Sequence, residues 1–173
     1  SGGRGPRWSG GCSSGSSPAP LPALPPSKQR VKGAPLYLED IQGKTVKLVP
    51  GQTGKALVLD FWATWCGPCR VLAPQLEKVA GEYKDKVEVY SLSVREKDTT
   101  VLGFFKKQGR TVPSHVLMDA SGENSDNYKV EGLPTLVMIR SDGRIVRSFA
   151  GAGKNMVPFL RACFEEISPK PAD

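Results

Sequence analysis

Seven consecutive residues, Ala56-Leu57-Val58-Leu59-Asp60-Phe61-Trp62, are apolar but for one carboxylate. A run of this length without alternation predicts a strand covered on both faces. Just beyond it, Leu72, Leu76, Val79, Ala80 and Tyr83 recur at spacings of four, three, one and three, which is one helical face. Pro74 falls inside that helix, where it removes a backbone donor and bends the axis. Upstream, Leu36 and Leu38 alternate around Tyr37, Gly43 supplies a turn, and Val46 and Leu48 alternate again, predicting a short antiparallel hairpin. Residues 51–54 form a second turn.

Downstream, residues 87–94 read as a strand. Asp98 is the expected N-cap of a helix that carries Val101, Leu102, Phe104 and Phe105 and ends near Gly109. A core strand over 114–118 is closed by the turn Asp119-Ala120-Ser121-Gly122, and a short helical or irregular piece spans 123–128. Leu133-Pro134-Thr135 opens a strand over 136–139, which Ser141-Asp142-Gly143 turns into an antiparallel strand over 144–149. The last helix, over 154–167, puts Met156, Phe159, Leu160, Cys163, Phe164 and Ile167 on one face, although its start signal is weak. Alternating strands and helices that finish in a hairpin and a helix predict a mixed α/β central sheet flanked by helices.

Composition divides the chain. Residues 1–32 hold six Pro, six Gly and five basic residues (Arg4, Arg7, Lys28, Arg30, Lys32) with no acid, and read as a flexible, partly polyproline-like linker. Residues 33–168 form one domain and 169–173 a short tail. Five of the seven net positive charges lie in the linker, leaving the body near neutral. Nucleic-acid binding is therefore not supported, because it needs basic residues clustered on a folded face, whereas a basic tail near a membrane surface is compatible with the pattern. No stretch reaches the roughly 18 to 20 apolar residues of a membrane span. The start at Ser-Gly-Gly reads as a processed or truncated product, from which a signal peptide or anchor would already be gone. Cys12 in the linker has two readings, a lipid-modified cysteine or an unpaired thiol.

The candidate chemistry lies at Cys66 and Cys69, between the buried run and the helix. A thiol with an ordinary pKa of about 8.5 is brought down to about 7 or lower at a helix N-terminus, and the thiolate is the nucleophile of disulfide exchange. Cys66 at the helix mouth is the candidate attacking group. Cys69, one turn further in and less accessible, is placed to resolve the mixed disulfide. Gly67-Pro68 suit the first turn, where proline lacks no needed donor. A half zinc site is the competing reading, and its other ligands would have to come from Cys12, Cys163 and His115. Asp60 interrupts the apolar run, so its burial should raise its pKa and make it a proton acceptor for Cys69; the alternative is a hydrogen-bonded core carboxylate with no kinetic role. Trp65 can shield the site and contact a partner, while Trp62 and Cys163 read as packing.

The stretch Phe61-Trp62-Ala63-Thr64-Trp65-Cys66-Gly67-Pro68-Cys69, with Pro74 and Gly132-Leu133-Pro134-Thr135, resembles thioredoxin. The hairpin before the first core strand and the extra strand-bearing segment over 101–128 resemble the TlpA/ResA-like branch of thiol-disulfide oxidoreductases, and the resemblance covers residues 33–168. It implies a thioredoxin-like fold with an N-terminal β-hairpin and an inserted strand/helix segment. It further implies a monomer that needs no cofactor or metal and acts outside the cytoplasm, in the periplasm or on a membrane tether. Such a protein would reduce disulfides of protein partners such as apocytochromes c and be re-reduced by a membrane or soluble thiol donor. Pro134 matches the family's cis-proline, which with the backbone of Leu133 pairs a substrate strand. Asp60 matches the buried acid, but the lysine that accompanies it would fall near Ser91, where there is none. Gly67-Pro68 resemble reducing thioredoxins, with potentials of about −270 mV, rather than oxidants near about −120 mV. A copper carrier using Cys66, Cys69 and His115 is the alternative, since copper(I) favours thiolates, though such carriers usually space their cysteines by three. A peroxidase reading lacks the Thr and Pro that precede a single peroxidatic cysteine.

Overall fold

The computed structural model describes residues 30–170. Residues 1–29, which composition reads as a linker, Cys12 with its two readings, and residues 171–173 lie outside the described residues. In chain order the elements are β1 (Leu36–Glu39), β2 (Thr45–Leu48), β3 (Ala56–Trp62), α1 (Gly67–Glu82), β4 (Val87–Val94), α2 (Asp98–Lys107), β5 (Val116–Asp119), α3 (Glu123–Asn127), β6 (Thr135–Ile139), β7 (Ile145–Ala150) and α4 (Val157–Ile167). They build one mixed seven-stranded sheet in the order β2-β1-β5-β4-β3-β6-β7. Strand β3 pairs parallel with β4 and antiparallel with β6.

All seven residues of β3 are buried, as its unbroken apolar run requires. Its side chains alternate between the two faces. Ala56 and Val58 pack under α1 and α4 against Leu72, Leu76, Val79, Leu160 and Phe164. Leu57, Leu59 and Phe61 face the other way, onto Leu36, Leu38 and Leu92. At the C-terminal end of β3 a third cluster joins Trp62, Ala63, Cys66 and Cys69 to Val101 and Phe105 of α2 and to Val116 and Met118 of β5. The dithiol therefore sits on packed core rather than on a free loop.

Some boundaries differ from the sequence expectation for local reasons. Lys97, not Asp98, caps α2; Asp98 is its first helical residue, where a carboxylate complements the helix dipole. Strand β5 starts at Val116 because Val116 N–H bonds back to Pro113 O in a turn. Helix α4 starts at Val157, not at 154. Gln75 of α1 donates to Gly153 O and accepts from Met156 N–H, which holds the preceding segment as a clipped loop. Residues 30–32, assigned to the linker from composition, lie against β7: Ile145 N–H donates to Val31 O, Arg144 Nη1 donates to Arg30 O, and Lys32 bridges Arg144.

The β6–β7 turn requires glycine. Gly143 has φ +87°, and a Cβ there would stand 2.7 Å from Pro50 O. Gly143→Ala is expected to destabilise the fold by more than about 1 kcal/mol, read as a lowered urea midpoint. An unchanged midpoint would show that the turn relaxes at no cost.

Candidate active site

The site begins where β3 ends. Residues 63–66 form a turn closed by Cys66 N–H to Ala63 O at 3.2 Å. Cys66 is the N-cap of α1, extended at φ −87° and ψ 108°, and its Sγ accepts from Cys69 N–H at 3.2 Å. The sulfur thus takes the place of a capping oxygen, satisfying one of the helix's orphan donors. Pro68 lies in the first turn and no acidic residue does, so no carboxylate of that turn offsets the positive end of the helix dipole at the Cys66 sulfur.

Cys66 and Cys69 are joined in a disulfide with Cα atoms 5.3 Å apart. Accessibility does not separate them as expected: they are 3% and 4% exposed. Position separates them instead. Cys66 is at the cap, whereas Cys69 lines a groove of about 790 Å³ between α1 and α2. Trp65 beside them is 74% exposed, and Gly67 and Pro68 are exposed as well.

Asp60 lines the same groove as Cys69. It is 5% exposed, Ser91 Oγ donates to its Oδ2 at 3.2 Å, and its Oδ1 finds no protein partner. Burial pushes its pKa up from the ordinary 3.8 to about 7, the Ser91 hydrogen bond pulling weakly the other way. Ser91 stands directly opposite Asp60 in the β3–β4 register. A neutral hydroxyl therefore occupies the position at which the resemblance places a lysine.

The Leu133–Pro134 peptide bond is cis. Leu133 packs against the cluster that holds both cysteines, and Pro134 is buried. The segment is braced by Thr135 Oγ1 donating to Gly132 O at 2.6 Å and by Gly151 N–H donating to Pro134 O at 2.8 Å. Cys66, Cys69 and Leu133, taken from distant parts of the sequence, thus meet around the end of β3.

His115 lines the groove as well, and burial lowers its pKa. Among the described residues no group of three or more His, Cys, Asp or Glu is placed to hold a metal ion, so the copper-carrier set of Cys66, Cys69 and His115 is not assembled. The zinc reading fares no better, since Cys163 is a buried thiol on the face of α4 whose pKa burial pushes up to about 12.

Sequence reasoning missed Glu96. It follows β4 in the charged run Arg95-Glu96-Lys97-Asp98, which reads as a solvated turn. Glu96 is nevertheless 9% exposed and accepts from Thr64 N–H at 2.8 Å, from the Thr64 hydroxyl and from Ser93 Oγ at 2.9 Å. Nothing local distinguishes it from its charged neighbours. Arg70, on the exposed side of α1, donates to Thr64 O at 3.0 Å and lies 5.1 Å over the Phe104 ring.

Comparison with known proteins agrees with this geometry. The Redoxin family matches over residues 22–162. The chain is 35% identical over 115 residues to the thiol-disulfide oxidoreductase ResA of Halalkalibacterium halodurans, a span covering 66% of this chain and 64% of that protein. Among solved structures it is similar to a Chlorobium tepidum protein assigned as thiol:disulfide interchange protein DsbE, at 27% identity and TM-score 0.71, over 80% of this chain and 96% of that one. It is also similar to the exposed lipoprotein thioredoxin Etrx1 of Streptococcus pneumoniae, at 27% identity and TM-score 0.60, over 76% and 99% of the two chains. The chain therefore belongs to the Redoxin family of the thioredoxin superfamily, and it carries a Cys66–Cys69 disulfide at the start of α1.

Proposed function

We propose that this chain reduces disulfides of protein partners outside the cytoplasm, apocytochrome c among them, with residues 33–168 as the working unit. The observation that carries the reading is a Cys66–Cys69 disulfide whose Cys66 sulfur caps α1, with a buried carboxyl group in the groove behind it and a cis-proline segment packed beside it. The similarity to an exposed lipoprotein thioredoxin supports the compartment, and the similarity to the thiol-disulfide oxidoreductase ResA supports the reaction class. Among the described residues no helix is long and apolar enough to cross a membrane, so a tether would have to come from elsewhere.

In the reaction, the Cys66 thiolate attacks one sulfur of the partner disulfide and expels the other as a thiolate, forming a mixed disulfide. Cys69 gives its proton to Asp60 through the shared groove and attacks Cys66 Sγ. The second partner thiolate leaves and the Cys66–Cys69 disulfide closes. Two electrons have passed to the partner, and an external dithiol donor restores the reduced pair. Exposed Trp65 and the backbone of Leu133 ahead of Pro134 supply the partner contacts, the latter by pairing an extended segment.

Direction is tested by the reduction potential, titrated against dithiothreitol and glutathione. A value near about −270 mV is expected, and one near about −120 mV would reverse the assignment. Partner identity is tested by expressing Cys69→Ser and identifying the proteins it captures covalently. Extracytoplasmic proteins with paired cysteines are expected, and a catch confined to cytoplasmic proteins would overturn the proposed compartment.

A further inference from the structure

We propose that Glu96 is a positioning residue for the dithiol, acting through Thr64 to fix the 63–66 turn that presents Trp65 and Cys66 to a partner disulfide. This rests on the reductase reading above and adds to it a residue outside the Cys-x-x-Cys element.

Thr64 has every polar group engaged. Its N–H and its hydroxyl both donate to the Glu96 carboxylate, and its carbonyl accepts from Arg70. Two bonds from one residue to one carboxylate set the direction of the Thr64 backbone and its side-chain rotamer together. The turn is only four residues long and ends on the capping sulfur, so any rotation at Thr64 is passed directly to Trp65 and Cys66. Ser93 Oγ, fully buried on β4, donates to the same carboxylate and orients it from below.

The backbone that delivers Glu96 is unusual. Arg95 leaves β4 at φ +54°, a left-handed conformation uncommon for a residue with a side chain. It is held there by Arg95 N–H to Asp119 O at 2.9 Å and by its guanidinium pairing with Asp126 at 2.8 Å. Asp119 in turn accepts from Asn124 and Ser125 at the start of α3. The β5–α3 segment thus holds Arg95 in the conformation that turns Glu96 inward, while neighbouring Arg95 and Lys97 stay exposed. A carboxylate kept only for solubility would have no such support.

The test uses the whole chain, with insulin-disulfide reduction as readout and thermal melting alongside. Glu96→Ala is expected to lower kcat/KM by roughly 10- to 100-fold, chiefly through kcat, in protein whose melting shows it folded at the assay temperature. Glu96→Gln, which keeps an acceptor for Thr64 N–H, is expected to recover most of the rate. Thr64→Val keeps the backbone N–H and loses the hydroxyl. It should cost less than Glu96→Ala, and combining the two should cost no more than Glu96→Ala alone, because both act on one contact. Folded Glu96→Ala with kcat/KM within twofold of the wild type would overturn the proposal, as would strictly additive losses in the double variant. If Glu96→Ala does not fold, Thr64→Val and Glu96→Gln decide: a lowered kcat in folded Thr64→Val with near-normal Glu96→Gln supports the proposal, and an unchanged Thr64→Val overturns it. An inactive wild type would instead refute the reductase reading.

Discussion

Cys66→Ser is expected to abolish insulin-disulfide reduction, by at least roughly 1,000-fold, while leaving the fold intact. In the proposed reaction the sulfur has two jobs at this position. As a cap it accepts from Cys69 N–H, and a serine oxygen performs that job as well or better. As a nucleophile it must be a thiolate near neutral pH, which a hydroxyl cannot become. The variant therefore separates structure from chemistry, and its melting temperature should stay close to that of the reduced wild type. Cys69→Ser should behave differently: it still attacks, but it stops at a mixed disulfide, seen as a covalent adduct that dithiothreitol releases. Activity retained in Cys66→Ser would remove the mechanism altogether.

Asp60→Asn is expected to stabilise the protein above neutral pH and to slow turnover. In the unfolded chain this carboxyl ionises near its ordinary pKa of 3.8, whereas in the fold burial holds its proton until about pH 7. Between those values the folded state binds more protons than the unfolded one, so this group's contribution falls as pH rises from about 4 to about 7 and stays low above. The full difference corresponds to roughly 4 kcal/mol, an upper figure for the gain on replacing Asp60 by a neutral isostere. Urea unfolding of both proteins at pH 5 and pH 8 should show a stability difference that widens with pH. A pH-independent difference would mean that Asp60 is not held protonated. Turnover should drop by roughly 100-fold or more if Asp60 takes the Cys69 proton, a typical loss for a general base. A variant that is more stable yet equally fast would leave Asp60 as a core carboxylate without a kinetic role.

The neutral partner of Asp60 sharpens both expectations. Ser91 donates one hydrogen bond and carries no charge, so no cation opposes the desolvation of the carboxyl. Ser91→Lys would introduce one at the facing register position.

Much of this architecture is legible in residue order because its signals are local. The unbroken apolar run of β3, the four-and-three spacing along α1 and the Asp-Gly turn between β6 and β7 each express a backbone conformation through neighbours a few residues away. The dithiol belongs with them, since two cysteines three positions apart at a helix start need only one turn of helix to meet. Boundaries drifted where a distant side chain intervened, as when Gln75 clips the loop ahead of α4.

Asp60 illustrates the division. Its interruption of an apolar strand was visible as a cost of burial, yet its sharing of a groove with Cys69 and its pairing with Ser91 depend on the β3–β4 register. Glu96 was invisible, because one buried carboxylate in a charged run looks like its solvated neighbours until the left-handed turn at Arg95 swings it under Thr64. The sequence by itself thus determined the redox pair, the strand that delivers it and the helix it caps, all set by short-range periodicity and capping. Only the tertiary structure decided what surrounds the pair: the groove behind Cys69, Leu133 packed against the cysteine cluster, and the Glu96–Thr64 contact. These join residues tens of positions apart, brought together by sheet register and core packing that no local pattern encodes.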